Sequence, residues 1–307
     1  MRDRQTDPIL IAGPTASGKS ALALALAENL GGAVVNADAI QVYDGWQILS
    51  ARPDAADLAR APHRLYGHIA MDVAYSVGHW LRDVDAALDA CRGAGQRPII
   101  VGGTGLYLSA LTEGLAQIPP VPADVRAEGD ALRRDGGTDG LRAALVALDP
   151  AALDHLDPFN PARLQRAWEV LRATGRTLRD WQADTPPPLV PLEASTALVL
   201  TSAPAWLNAR ITRRFGQMVD LGALNEVARA HEAGLDPAWP SSRALGADAL
   251  WDHLQGRMSR DAALALGALR TRQFAKRQRT WFRNRMTAWR TVRIDETPAE
   301  DLVSSIV

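Results

Sequence analysis

Residues 11–20 read IAGPTASGKS, and the last eight letters match G-x-x-x-x-G-K-[ST], the pattern of a phosphate-binding P-loop. An apolar segment, 8–13, runs into this loop, and an Ala- and Leu-rich helical segment, 19–30, leaves it. Strand, loop and helix in this order direct backbone N–H groups and a helix N-terminus at an oxyanion. We therefore predict that the loop binds a polyphosphate, with Lys19 between the phosphates and the Ser20 hydroxyl on Mg²⁺.

The segments after the loop alternate between strand and helix patterns. Residues 33–38 and 97–102 have apolar strand patterns, whereas residues 77–92 and 104–111 have helical ones. Strands that alternate with helices favour a parallel sheet with helices on both faces. We predict an α/β fold, a P-loop NTPase-like parallel sheet flanked by helices.

Two proline-rich segments, IPPVP at 118–122 and DTPPPLVP at 184–191, divide the chain. The segment between them has no strand pattern. After it, residues 197–202 (ALVLTS) have the pattern of a strand that belongs to the core sheet. We predict three parts. Residues 1–117 form the first part of the P-loop core, 118–191 an inserted helical subdomain, and 192–307 the return strand with C-terminal helices and a weak strand at 290–294.

Composition limits the classes of partner and site. The formal net charge over 307 residues is −1, so a nucleic acid would have to bind a local basic patch. One cysteine, Cys91, excludes an internal disulfide framework and a Cys-based zinc site, and the six histidines lack metal-ligand spacing. Neither a signal peptide nor an 18-residue apolar span is present, so we expect a soluble cytoplasmic protein without a membrane partner.

The P-loop alone leaves the reaction open. An ATPase or GTPase also needs a strand-end acid for Mg²⁺ and a group that orients water. The strand segments 97–102 and 197–202 end without an acid, and the only acid near a predicted strand end is Asp38. From the residues alone, Asp38 has three possible roles: a metal ligand, a base that activates an acceptor, or the cap of a turn.

Further motifs follow the P-loop in a fixed order. They are NADAIQVY (36–43), APHRL (61–65), VGGTGLYLSALTEGL (101–115), RITRRF (210–215) and RQFAKRQRTWFR (272–283). Taken together, the motifs resemble the bacterial tRNA dimethylallyltransferase family over nearly the whole chain. This resemblance implies transfer of a dimethylallyl (isopentenyl) group from dimethylallyl diphosphate to N6 of adenosine 37, next to the tRNA anticodon, with release of diphosphate.

The chemistry of that transfer fits the residues. The exocyclic amine of adenine is a weak nucleophile that needs a base, and the departing diphosphate needs neutralisation. The resemblance implies that Asp38 is the general base, that Thr104 supports the amine or the diphosphate, and that Arg214 faces the diphosphate. It also implies Mg²⁺ at Ser20. The diphosphate- or nucleotide-binding residues are then Gly13, Pro14, Thr15, Ala16, Ser17, Gly18, Lys19 and Ser20.

A basic and aromatic run covers residues 270–290. It contains eight basic residues and no acidic one, with Phe and Trp interleaved, as expected of a nucleic-acid contact. The other interpretation is an amphipathic helix with a solvated basic face. The resemblance implies an anticodon stem-loop partner and a tRNA-binding role for the helical insertion. The implied tRNA contacts are Asp38, Ala39, Ile40, Gln41, Arg126, Arg163, Gln165, Arg166, Arg243, Lys276, Arg277, Arg279, Trp281 and Arg283.

Three positions depart from the family pattern: Ala39 replaces a serine, Ser50 lies where a threonine is usual, and Ala247 replaces a tyrosine. None of these changes removes a catalytic group, so we expect an active enzyme that functions as a monomer. Three other functions remain: a small-molecule P-loop kinase, an isopentenyltransferase that uses free adenine nucleotides, and a nucleic-acid-binding protein with an inactive loop.

Overall fold

The P-loop joins the first strand to the first helix, as predicted. The computed structural model describes residues 7–297 and 299–306. Strand β1 (Ile9–Ala12) is fully buried, and α1 (Lys19–Leu30) begins directly after Gly18. Gly18 has φ 86°, a left-handed conformation that glycine adopts without steric cost. No side chain caps α1, so the N–H groups of its first turn remain available to a bound anion.

A parallel sheet forms the core. Within the described residues it has six strands, in the order β3-β2-β4-β1-β5-β6, and every neighbouring pair is parallel. Strands β2 to β6 are Gly32–Asn36, His63–Arg64, Arg97–Gly102, Thr196–Thr201 and Arg290–Arg293. The predicted parallel α/β sheet is confirmed. Because the strands are parallel, the residues after β1, β2 and β4 meet at one edge, where α/β proteins bind their ligands.

Helices cover both faces of this sheet. Helices α2 to α12 are Ala55–Arg60, Val77–Gly93, Gly105–Glu113, Ala123–Leu148, Pro161–Thr174, Leu178–Ala183, Pro204–Asp220, Ala223–Glu232, Ala247–Leu254, Arg260–Arg285 and Ala299–Ile306. One face packs against α3, α4 and the end of α11, with Trp80, Tyr107 and Phe282 in its core. The other face packs against α1 and α12, and a further apolar cluster joins α8 to α11.

The chain forms two compact units, one of Met1–Glu113 with Leu189–Val307 and one of Gly114–Pro188. The second unit is helical where it has regular structure. Its helices α5 and α6 pack through Leu141, Leu145, Leu164 and Trp168, and α5 is interrupted at Gly137. The bounds of this unit lie close to the predicted insertion 118–191, whose tRNA-binding role stays a prediction. Among the described residues, no helix has the length and apolar character that crossing a membrane requires.

Candidate active site

Asp38 lies two residues beyond the end of β2, and a buried asparagine holds it there. The Asn36 side chain accepts a hydrogen bond from the Asp38 amide at 2.9 Å and donates to the Asp38 and Leu65 carbonyls at 3.0 Å. Asp38 Oδ1 accepts hydrogen bonds from the Ile40 amide at 3.0 Å and the Gln41 amide at 3.4 Å. One carboxylate oxygen therefore orients the side chain, and Oδ2 remains for a proton or a ligand.

The turn after β4, formed by Gly102, Gly103 and Thr104 and here called the Gly-Gly-Thr turn, packs against the segment that carries Asp38. The Thr104 hydroxyl accepts a hydrogen bond from the Ala39 amide at 2.9 Å, and the Thr104 amide donates to the Ala37 carbonyl at 3.2 Å. A Cβ at Gly102 would overlap the Ala37 carbonyl, so only glycine permits this close approach. The bond from the Ala39 amide leaves the hydroxyl hydrogen of Thr104 available to a substrate.

A cavity of about 530 Å³ opens between these two segments, α8 and α11. All three predicted catalytic residues, Asp38, Thr104 and Arg214, line this Asp38 cavity, together with Thr15 and Ala16 of the P-loop. Much of the remaining wall is apolar and consists of Leu49, Leu106, Ile211, Phe215, Met218, Leu245 and Phe274. The Asp38 cavity therefore offers a carboxylate, a hydroxyl and a cation beside an apolar surface.

Two cations lie near the carboxylate. Lys19 Nζ donates a hydrogen bond to the Pro14 carbonyl at 3.4 Å. Burial lowers the pKa of Lys19 to about 8; the charge of Asp38 opposes this shift and that of Arg214 adds to it. The pKa of Arg214 is also lowered, first by burial and then by Arg210, and Asp38 again opposes. Two partly desolvated cations beside the P-loop form a strong electrostatic site for a polyphosphate.

Gln278 is a site residue that the sequence did not single out. Its side chain is 5% exposed and lines the Asp38 cavity. Its Oε1 accepts from the Thr15 amide and its Nε2 donates to the Gly103 carbonyl, both at 2.9 Å. The available signal was the spacing of this glutamine, which is three residues from Trp281 and four from Phe274 and so shares a helical face with both aromatic residues.

The predicted tRNA contacts separate into groups. Ala39, Ile40, Arg243, Arg277 and Trp281 line the Asp38 cavity. Three others, Lys276, Arg279 and Arg283, line a second cavity of about 590 Å³ between α11 and the end of β5, here called the basic cavity. The Gln41 side chain is engaged elsewhere, because its amide nitrogen donates to the Ser50 and Ala51 carbonyls at 2.9 and 3.0 Å.

The second unit carries the other four predicted contacts. Arg126 and Arg163 are exposed, and Arg166 is half-buried with its pKa lowered by burial. Gln165 is buried, and its amide nitrogen donates to Asp130 Oδ1 at 2.7 Å and Glu169 Oε1 at 2.9 Å. Both hydrogens of that amide are thus used within this unit.

The positions that depart from the family pattern have different surroundings. Ala39 and Ser50 line the Asp38 cavity, and the Ser50 hydroxyl donates to the Trp46 carbonyl at 2.5 Å. Ala247 is 2% exposed and belongs to the apolar cluster of α8 to α11. The first two departures therefore change the cavity wall, and the third changes the packing behind it.

A metal site built from protein groups alone is not present in the described part of the chain, where no three His, Cys, Asp or Glu residues cluster suitably. The P-loop nevertheless fits Mg²⁺ bound with a substrate, since Mg²⁺ takes few protein ligands and completes its shell with phosphate oxygens and water. Ser20 is exposed in the first turn of α1. The buried Ser17 hydroxyl has no hydrogen-bond partner among the described residues, which leaves it available to an oxyanion.

Comparison with known proteins identifies relatives over most of the chain. The family model described as IPP transferase matches residues 41–285, and the model described as isopentenyl transferase matches residues 7–68. A tRNA dimethylallyltransferase of Cereibacter sphaeroides is 58% identical over 287 residues, covering 94% of this chain and 89% of the relative.

Two solved structures have the same fold. The tRNA isopentenylpyrophosphate transferase of Bacillus halodurans superposes with a TM-score of 0.70 at 28% identity, covering 98% of this chain and 94% of that one. A eukaryotic dimethylallyltransferase acting on tRNA gives a TM-score of 0.80 at 24% identity, covering 94% of this chain and 73% of that one.

Proposed function

The chain belongs to the IPP transferase family, and we propose that it transfers a dimethylallyl group from dimethylallyl diphosphate to N6 of adenosine 37 in tRNA, releasing diphosphate. The observation that carries this proposal is the Asp38 cavity. There Asp38, Thr104 and Arg214, which come from distant parts of the sequence, face one space at the edge of the P-loop. All these groups come from one chain, so the proposed site needs no second subunit, and we propose that a monomer acts. The tRNA substrate supports action in the cytoplasm.

The reaction exchanges one bond for another. A bond forms between N6 of adenosine and the allylic carbon of the donor, and the bond from that carbon to the diphosphate oxygen breaks. The electron pair leaves with diphosphate, and Asp38 Oδ2 takes the proton from N6. The two amide hydrogen bonds to Oδ1 hold the carboxylate in place for this transfer.

The P-loop supports the departure of diphosphate. The amides at the start of α1, Lys19 and Arg214 face the developing charge, and such prearranged groups are a large term in catalysis. Ser20 would hold Mg²⁺ with the diphosphate oxygens, and the bound ion would neutralise part of the leaving-group charge. The apolar wall of Ile211, Phe215 and Phe274 suits a five-carbon chain and excludes water from the allylic carbon.

A nucleobase in a stacked loop must leave the stack before N6 can enter a cavity. Arg243, Arg277 and Trp281 at the wall of the Asp38 cavity suit an extruded base and its phosphates. The match of residues 41–285 to the IPP transferase model includes all of α11, whereas the isopentenyl transferase model matches only residues 7–68. The family relationship thus favours the tRNA substrate over a free adenine nucleotide.

The test is mass spectrometry of nucleosides after incubation with dimethylallyl diphosphate, Mg²⁺ and a transcribed tRNA. A matched transcript with guanosine at position 37 is the control. We expect N6-isopentenyladenosine from the first transcript and none from the second. Efficient prenylation of free AMP with tRNA left unmodified would contradict the proposal, and so would tRNA-stimulated hydrolysis of ATP without prenyl transfer.

A further inference from the structure

Gln278 joins two loops that are distant in the sequence. Its amide oxygen accepts from the P-loop at Thr15, and its amide nitrogen donates to the Gly-Gly-Thr turn at Gly103. The two bonded residues lie 263 and 175 positions from Gln278. The P-loop is the proposed diphosphate site, and the turn lies against Asp38. One side chain therefore spans the two halves of the reaction centre.

We propose that Gln278 is a positioning residue that fixes the spacing between the P-loop and the Gly-Gly-Thr turn, and thereby the distance from the donor diphosphate to Asp38. This inference rests on the proposed function. Gln278 acts through the backbone of the two loops, and its role requires no contact with the substrate.

The amide is well suited to this role because it carries one donor and one acceptor at a fixed separation. Only glycine at 103 and 105 lets α11 approach the turn this closely. A Cβ at Gly103 would overlap the Gln278 amide and lie 3.3 Å from Asp38 Oδ2, and one at Gly105 would overlap the Trp281 ring. Gly103 therefore lies between the Gln278 amide and Asp38 Oδ2.

The packing of α11 does not depend on this amide. Ala275 and Phe282, on either side of Gln278 along the helix, are buried in apolar clusters with α8 and with the sheet. Loss of the amide should leave the helix in place and release the two loops from each other. A misplacement of about 1 Å between reacting groups costs on the order of 10²-fold in rate, so the expected defect is in the chemical step.

The experiment compares Gln278→Met and Gln278→Glu with the wild-type enzyme. Gln273→Met is the matched control, because Gln273 is an exposed glutamine on the same helix. Three quantities are measured for each protein: the single-turnover transfer rate at saturating donor and tRNA, the Kd for tRNA, and the melting temperature. We expect Gln278→Met to lower the rate about 10²-fold with an unchanged Kd, and Gln273→Met to alter none of the three.

Gln278→Glu adds a readout that a packing role would not change. An ionised carboxylate accepts from Thr15 but cannot donate to Gly103, whereas a protonated carboxyl does both. Burial raises the pKa of such a carboxyl, and so does the charge of Asp38, whose Oδ2 lies beside the same turn. Arg214 and Arg277, which line the same cavity, oppose this shift. We therefore expect the rate of Gln278→Glu, divided by the wild-type rate at the same pH, to rise as the pH falls from 8 to 6. The same ratio for Gln278→Met should stay constant.

Three results would overturn the inference. The first is a transfer rate close to wild type in both variants. The second is a loss of rate that is explained by a lower melting temperature. The third is a rate ratio of Gln278→Glu to wild type that does not change with pH. A wild-type enzyme that prenylates neither transcript would instead overturn the proposed function and this inference with it, so the two failures are distinguishable.

Discussion

Helix α11 has two faces that differ in what they contact. One carries Phe274, Gln278 and Trp281 and lines the Asp38 cavity, with Gln278 almost fully buried. The other carries Lys276, Arg279 and Arg283 and lines the basic cavity. At about 100° per residue, the two rows lie on roughly opposite sides of the helix. We propose that the first face supports the reaction centre and that the second presents charge to RNA.

Three further basic residues of the run behave differently again. Arg270 pairs with Asp248, Arg272 donates to the Thr212 hydroxyl at 3.2 Å, and Arg285 lies 3.5 Å from Glu113. The run is therefore not one uniform binding strip, because these three cations already have partners in the protein. Changes to the reaction centre should alter rates, and changes to the second face should alter only the affinity for RNA.

The largest effect is expected at the reaction centre. Asp38→Asn keeps the oxygen that accepts from the Ile40 amide but cannot take the proton from N6. The single-turnover rate should fall about 10²- to 10⁴-fold, the usual contribution of a general base. The Kd for tRNA and its salt dependence should stay unchanged. An unaffected single-turnover rate would leave Asp38 as a turn residue only.

Next in size is the loss of the P-loop cation. Lys19→Ala removes a charge-assisted contact worth about 1.5–3 kcal/mol, so the Kd for dimethylallyl diphosphate should rise about 10- to 150-fold. The Kd for tRNA should not change, because Lys19 lies at the P-loop and not on the second face of α11. Equal weakening of donor and tRNA binding would remove the distinction between the two regions.

The sequence predicts the sheet and many of the candidate site residues, because both can be recognised from local patterns. The P-loop, Asp38, Thr104 and Arg214 were all predicted, and the three catalytic candidates line one cavity. Gln278 was missed, since its function comes from partners 263 and 175 positions away. An amphipathic α11, with aromatic residues inward and cations on RNA phosphates, follows from the sequence. The assignment of single residues to the two faces does not, because the charges of this run occur on all sides of the helix. Only the tertiary contacts of each residue distinguish its faces.

The second face is tested by salt. Replacing Lys276, Arg279 and Arg283 together by Ala should flatten the slope of log K for tRNA against log salt by about 2–3, if each neutralises one phosphate. Doubling the salt concentration should then weaken tRNA binding about 4- to 8-fold less than in the wild type. The matched control replaces Arg270, Arg272 and Arg285 by Ala, which makes the same charge change on the same helix. An equal slope change in the control would show that the run acts as one diffuse field.

The smallest expected effect is a pH dependence of donor binding, and it distinguishes the P-loop from the second face of α11 without a change to either face. Lys19 has a pKa of about 8, so its ammonium is lost as the pH rises through that value. The kcat/KM for dimethylallyl diphosphate should fall by about a fifth from pH 6.5 to 7.5 and be about twofold lower at pH 8 than at pH 6.5, as one deprotonation predicts. Lys19→Arg should have lower activity but no decline up to pH 9, because a guanidinium stays charged there. The Kd for tRNA should stay constant over the same range, since the cations of the second face are mainly arginines. A decline that persists in Lys19→Arg would assign the titration to another group.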